Sequence, residues 1–176
     1  MKEPGASGAE TIRLAERRVF SQSFKPLYND GMALVEEAAE YLDGEGRVAA
    51  KRLSRVATTL YAAESMRLTT RLMQIASWLL LQRAANSGEM TREQVAAEKS
   101  KVRLDTASAQ EDVPGWDELP SAFCSLVERS LRLQTLVRRM DEEIYGGGQR
   151  AARQDFSSTN PVSDQITLLK TAFGRG

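Results

Sequence analysis

Residues 119–145 read LPSAFCSLVERSLRLQTLVRRMDEEIY, and within them Leu119, Phe123, Leu126, Ser130, Leu133, Val137, Met140 and Ile144 recur at alternating steps of four and three. That alternation is the seam of a helix packed in a bundle or coiled coil, and every position but Ser130 is apolar. The helix is expected to end at Tyr145, before three consecutive glycines. Upstream, Arg47 to Asn86 contains neither Pro nor Gly, which predicts a second helix of about 60 Å at ~1.5 Å per residue. A globule of this size has a radius of gyration of about 16 Å, so the bundle is elongated or this helix kinks. Its first half is amphipathic through Leu53, Val56, Leu60 and Ala63. From Leu72 to Leu81 apolar residues cover most of the circumference, beside a polar strip that includes Arg67, Thr70, Arg71, Gln74 and Ser77. A helix wet on one side does not need so much apolar surface. Leu72, Ile75, Trp78 and Leu79 are therefore expected to serve the core and a homodimer interface, with Glu64, Arg67 and Arg71 (i, i+3, i+7) pairing along the strip beside it.

A third helix precedes these. Phe20, Phe24, Leu27, Tyr28, Leu34, Val35, Ala38, Tyr41 and Leu42 follow helical spacing, with Ser23 as N-cap and Pro26 in the first turn, where a missing N–H costs little. Gly31 lies on the apolar stripe, where it would let a neighbouring helix approach closely, the alternative being a helix that starts only after Asn29-Asp30. The helix should stop at Asp43-Gly44-Glu45-Gly46, whose glycines can take the left-handed conformation that ends helices. Gly88 ends the second helix, Thr91-Arg92-Glu93-Gln94 spells a capping box, and a short polar helix should run from there to about Leu104. Val113-Pro114-Gly115-Trp116 marks a turn with a large apolar anchor. The expected architecture is all-α: an elongated antiparallel three-helix bundle over residues 21–145, plus a short polar helix. Residues 1–20, with Pro4, Gly5 and Gly8, are expected to form a flexible arm, and 146–176 a disordered tail. Within that tail Ile166, Leu168, Leu169 and Phe173 form a compact apolar group expected to bind a partner, leaving the tail dispensable for folding.

Composition removes whole classes of chemistry. The 176 residues include no His and one Cys, and 24 basic residues balance 24 acidic ones. Without His there is no His-based triad and no Glu-x-x-His di-iron site, and Cys124 alone supplies neither the usual zinc ligand set nor an intrachain disulfide. Zero net charge gives no global attraction to nucleic acid. The best local patch, Arg47, Lys51, Arg52 and Arg55, has no interleaved aromatics and lies beside Glu36, Glu37, Glu40 and Asp43, with which it is expected to pair as a solvated face. Leu72 to Gln82 is the longest uncharged apolar run, at 11 residues, far short of the roughly 20 of a spanning helix. No cofactor, membrane or nucleic-acid partner is expected, and a cytoplasmic location is. Cys124 reads as a small buried hydrophobe. A DNA-binding or scaffold role is the alternative to a protein-interaction role; a small enzyme would need convergent ionisable groups, for which Glu64, Arg67 and Arg71 are the best on offer.

Four strings carry a family resemblance: YLDGEGR (41–47), ESMRLTTRLMQIASWLL (64–80), GEMTREQVAAEKSKVRL (88–104) and ERSLRL (128–133). Together they resemble the RcdA family, the alphaproteobacterial "regulator of CtrA degradation" group, over roughly Phe20 to Tyr145. The resemblance implies a dimeric three-helix bundle that is not an enzyme and acts as an adaptor for the ClpXP protease. As partners it implies ClpX together with a response-regulator co-adaptor, and protein substrates delivered during the cell cycle.

Overall fold

The computed structural model describes the backbone of residues 6–109 and 111–158, and side chains over 22–109 and 111–146. Helices follow in the order α1 (Ala6–Asp43), α2 (Glu45–Ala50), α3 (Arg55–Ser87), α4 (Arg92–Lys99) and α5 (Ser121–Ser158). The chain divides into two compact units, Met1–Val137 and Arg138–Gly176. The first contains the bundle of α1, α3 and α5; the second begins within α5 and holds its C-terminal turns.

The direction of each helix follows from which ends touch. Phe24 and Tyr28 near the middle of α1 meet Trp78 and Arg83 late in α3, whereas Tyr61 early in α3 packs on Phe123, which also stacks on Tyr41 near the end of α1. Thus α1 is antiparallel to both other long helices. Tyr61 meets Phe123 and Arg71 meets Ser130, so α3 and α5 run parallel. A parallel pair needs a crossover, and residues 88–120 supply it. They leave the end of α3 through α4 and return along its length, Thr106 reaching Arg71 and Gln74, Ser108 reaching Glu64, and Glu118 reaching Ser54.

The seam foreseen on α5 is the one that packs. Phe123, Leu126, Ser130 and Val137 are buried, as is Leu119 just before the helix, and Leu133, Met140 and Ile144 are half-buried. Gly31 is helical and buried, and a Cβ there would lie 2.5 Å from Leu79 Cδ1, so the close approach expected of it is present. Gly88 takes φ 78° and closes α3. Thr91 and Gln94 form the reciprocal capping box. Pro114-Gly115 makes a turn in which Trp116 N–H donates to the Val113 carbonyl at 3.2 Å, with Gly115 at φ 89°.

Several boundaries differ from expectation. Helix α1 begins at Ala6, within the stretch expected to be an arm, and Pro26 lies inside it instead of in a first turn led by Ser23. The run AETIRLAERR consists largely of good helix formers, and extending a helix already anchored by Phe24 and Leu27 needs no new nucleus. Helix α5 likewise continues past Tyr145 to Ser158, although each glycine at 146–148 costs about 1 kcal/mol against Ala. Residues 166–173, with their apolar group, lie outside the described residues. The expected single helix from Arg47 divides at residues 51–54, because Ser54 caps α3 by accepting the Ala57 N–H at 3.2 Å while its own N–H and hydroxyl donate to Glu118. Neither Gly44 nor Gly46 is left-handed. Gly46 serves packing instead: a Cβ would lie 2.5 Å from Tyr61 Oη and 2.8 Å from the Tyr41 carbonyl. Finally, α4 stops at Lys99 and closes through a turn at 100–101, and residues 102–109 form neither helix nor strand.

Candidate functional site

Two features of α3 set it apart from an ordinary core helix. The first is its outward side. Over 56–82 the exposed residues are Val56, Thr58, Thr59, Ala62, Met66, Arg67, Thr69, Thr70, Met73, Ser77 and Leu80. Only Arg67 is charged, and its guanidinium turns back to pair with Glu64. Met66, Met73 and Leu80, spaced by seven, are 74%, 65% and 49% exposed. The exposed side spans about 36 Å from Val56 to Leu80, and this row about 21 Å of it, at ~1.5 Å per residue. Large flexible apolar side chains set among Thr, Ser and Ala form a face that another helix can approach closely.

The second feature is on its inner side, where a helix facing a core buries Glu64, Arg71 and Gln82. Glu64 Oε1 accepts the Ala109 N–H at 2.9 Å, and its carboxylate also takes hydrogen bonds from Ser108 Oγ and Arg67. Burial pushes this carboxyl upward, but those hydrogen bonds and the Arg67 charge outweigh it, and the group is held below its ordinary range. Arg71 Nη1 donates to Ser130 Oγ at 2.7 Å and its Nε to the Thr106 carbonyl at 3.1 Å. Desolvation lowers its pKa from the usual arginine value while the Glu64 charge raises it. Gln134 Nε2 donates to the same Thr106 carbonyl at 3.3 Å, and Thr106 Oγ1 donates to Gln74 Oε1 at 2.9 Å. Further along, Lys99 is buried over the Trp78 ring at 4.0 Å and donates to Gln82 Oε1 at 2.8 Å. This polar seam fastens the crossover to α3 and α5.

The network has a pH consequence. A carboxyl whose folded pKa is depressed contributes stability that is complete above its unfolded value, about 4.3, and lost as pH falls through the folded value. Urea midpoints should therefore fall below about pH 4, and the fall should be shallower in Glu64→Gln, whose midpoint is lower at neutral pH.

Elsewhere, Glu37 accepts a bidentate bond from Arg129 at 2.6 and 2.7 Å, which lowers its pKa. The expected pairing of Glu37 with the basic turn is thus replaced by one across to α5. The pair flanks an open cleft of about 350 Å³ lined by Asp30, Ala33, Leu34, Arg129 and Leu133. Cys124 is half-buried, and burial raises its thiol pKa, which disfavours the reactive thiolate. Among the described residues no group of His, Cys, Asp and Glu is placed to hold a metal ion, and no helix is long and apolar enough to cross a membrane.

The residues singled out in sequence thus fall in different places. Leu72, Ile75, Trp78 and Leu79 are buried within the chain itself, and the surface beside them belongs to Met66, Met73 and Leu80. Glu64 and Arg67 pair as their spacing suggested, but Glu64 and Arg71 are buried under the crossover instead of lying on a wet strip. Thr106, Ser108, Ser130 and Gln134 were not foreseen. Ser130 carried the one available signal, as the polar member of an otherwise apolar seam.

The family described as "Protein of unknown function (DUF1465)" matches residues 15–173. RcdA from Caulobacter crescentus CB15, known from a crystal structure, is 49% identical to this chain, with a TM-score of 0.58, over 69% of this chain and 90% of that one. No curated protein matches.

Proposed function

We propose, from the premise that this chain belongs to the DUF1465 family, the family of RcdA, that it is a non-enzymatic adaptor delivering protein substrates to the ClpXP protease in cell-cycle-regulated proteolysis. The observation that carries this proposal is the 49% identity to RcdA over 90% of that protein. Its partners are ClpX, a response-regulator co-adaptor and the substrates, met in the cytoplasm, with no nucleic acid, membrane or cofactor involved. An adaptor works by raising effective concentration, and it needs interaction surfaces where an enzyme needs a reactive group.

The adaptor acts as a homodimer. The uncharged row of Met66, Met73 and Leu80 is its contact surface, backed by the buried Leu72, Ile75, Trp78 and Leu79. Ile166, Leu168, Leu169 and Phe173 form a second, partner-binding element. Because α5 extends to Ser158, a chain ending at Ser158 is the appropriate truncation. It should keep its helical circular dichroism and cooperative melting while delivering substrate no better than an adaptor-free control. Delivery equal to that of the full chain would remove the partner-binding role of the segment.

The class of function is tested by a pull-down from native lysate with the full chain as bait. Recovery of ClpX or of a response regulator is expected. Recovery of neither, with nucleic acid retained through a salt titration, would favour the DNA-binding alternative.

A further inference from the structure

The crossover is held differently at its ends and in its middle. Val95 of α4 is buried at one end, Leu119 is buried at the other, and Gly115 lies against the Ala57 backbone, where a Cβ would sit 3.0 Å from Ala57 Cα. Between these anchors residues 101–109 bury no side chain fully. Over 101–108 burial alternates: Val102, Leu104, Thr106 and Ser108 are half-buried while Lys101, Arg103, Asp105 and Ala107 are exposed, the period of two with which a strand-like segment lies on a surface.

Much of what holds this strand is main-chain recognition. Arg71 Nε and Gln134 Nε2 donate to the Thr106 carbonyl, and Glu64 accepts the Ala109 N–H. These contacts do not depend on which side chains the strand carries; the Thr106 and Ser108 hydroxyls, bound to Gln74 and Glu64, add selectivity. A permanent crossover does not require this arrangement, since well-packed apolar residues in place of buried charges are often neutral or stabilising. Moreover, Arg71 Nη2 is buried with no hydrogen-bond partner among the described residues. Main-chain bonds for affinity and alternate side chains for specificity are how proteins bind extended peptides.

We propose that the polar seam of α3 and α5 is a binding site for an extended polypeptide segment, occupied in the free chain by its own residues 101–109, and that a partner segment with aliphatic residues at alternate positions followed by Thr-x-Ser takes their place. The anchors at Val95 and Leu119 remain seated while the middle lifts. The site is independent of the protease-adaptor assignment, because it concerns which peptide is bound and not the fate of that peptide once bound.

The probe is a labelled peptide of the chain's own sequence, KVRLDTASA (101–109), titrated with full-length protein and read by fluorescence anisotropy. Val102→Asp with Leu104→Asp weakens the internal competitor and leaves the seam intact, so this variant should bind the probe at least about tenfold more tightly than the wild type, in proportion to the freed fraction of sites. Adding Gln74→Leu and Gln134→Leu should reverse the gain. A folded variant that binds the probe no better than a scrambled peptide overturns the proposal. Native-state hydrogen exchange on the unmodified chain decides independently of any variant: the Ala109 amide, which donates to Glu64 Oε1, should exchange at least about 100-fold faster than the amides of Leu68 to Leu79. Equal rates would mean that the strand leaves only on global unfolding, and would overturn the proposal as well.

Discussion

A chain carrying Met73→Asp and Leu80→Asp is expected to have half the solution mass of the wild type, near 19.5 kDa, at tens of micromolar by light scattering. Both residues are exposed on the chain itself, so the substitutions leave the core untouched and should together change monomer stability by no more than about 1 kcal/mol. In a dimer the same carboxylates would be desolvated and set against their copies, which costs several kcal/mol per interface. Separation of the two readouts is the informative outcome: mass halves while the helical signal stays. A wild-type chain that is monomeric at that concentration would remove the dimer from the account.

Arg71→Ala should produce the largest loss of fold stability from a single polar substitution, about 3–5 kcal/mol, the range for breaking a buried charge network by removing one member. It leaves Ser130 and the Thr106 carbonyl short of a donor and removes the positive charge facing Glu64. Because the two charges interact and both hold the one segment 106–109, Glu64→Ala and Arg71→Ala should be non-additive, with a coupling of about 0.5–3 kcal/mol in chemical denaturation. Additive losses would show that the two buried groups act separately.

How much of this was legible in sequence depended on how local the cause was. The capping box at Thr91, the Gly88 stop and the Pro114-Gly115 turn arise from interactions within a few residues, and each stands where its spelling placed it; the α5 seam packs on distant residues but was legible from the period of its apolar positions. Gly31 was legible because a glycine on an apolar stripe brings no side chain to the core and is useful there mainly by letting a neighbour come close. The break at 51–54 was not, since Ser54 depends on Glu118, which is 64 residues away. The same distance hid the parallel course of α3 and α5 and the burial of Glu64 and Arg71, whose partners lie on the crossover and on α5. On a helical wheel those two side chains share the face of Leu68, Leu72 and Ile75, and only the structure shows that main chain of the crossover covers Glu64 and, together with Ser130 of α5, Arg71. That α1 reaches back to Ala6 and α5 on to Ser158 reflects a different limit: local composition does not reveal how far an anchored helix propagates.

The measurement that bears most directly on the central claim is ATP-dependent degradation reconstituted from purified ClpXP, its response-regulator co-adaptor and a substrate recovered with the chain from lysate, with and without the full chain. Tethering by an adaptor predicts an initial rate at least about tenfold higher when the chain is present at limiting substrate, falling back to the basal rate in the chain ending at Ser158. Equal rates with and without the full chain, under conditions where it binds both ClpX and the substrate, would contradict the adaptor account.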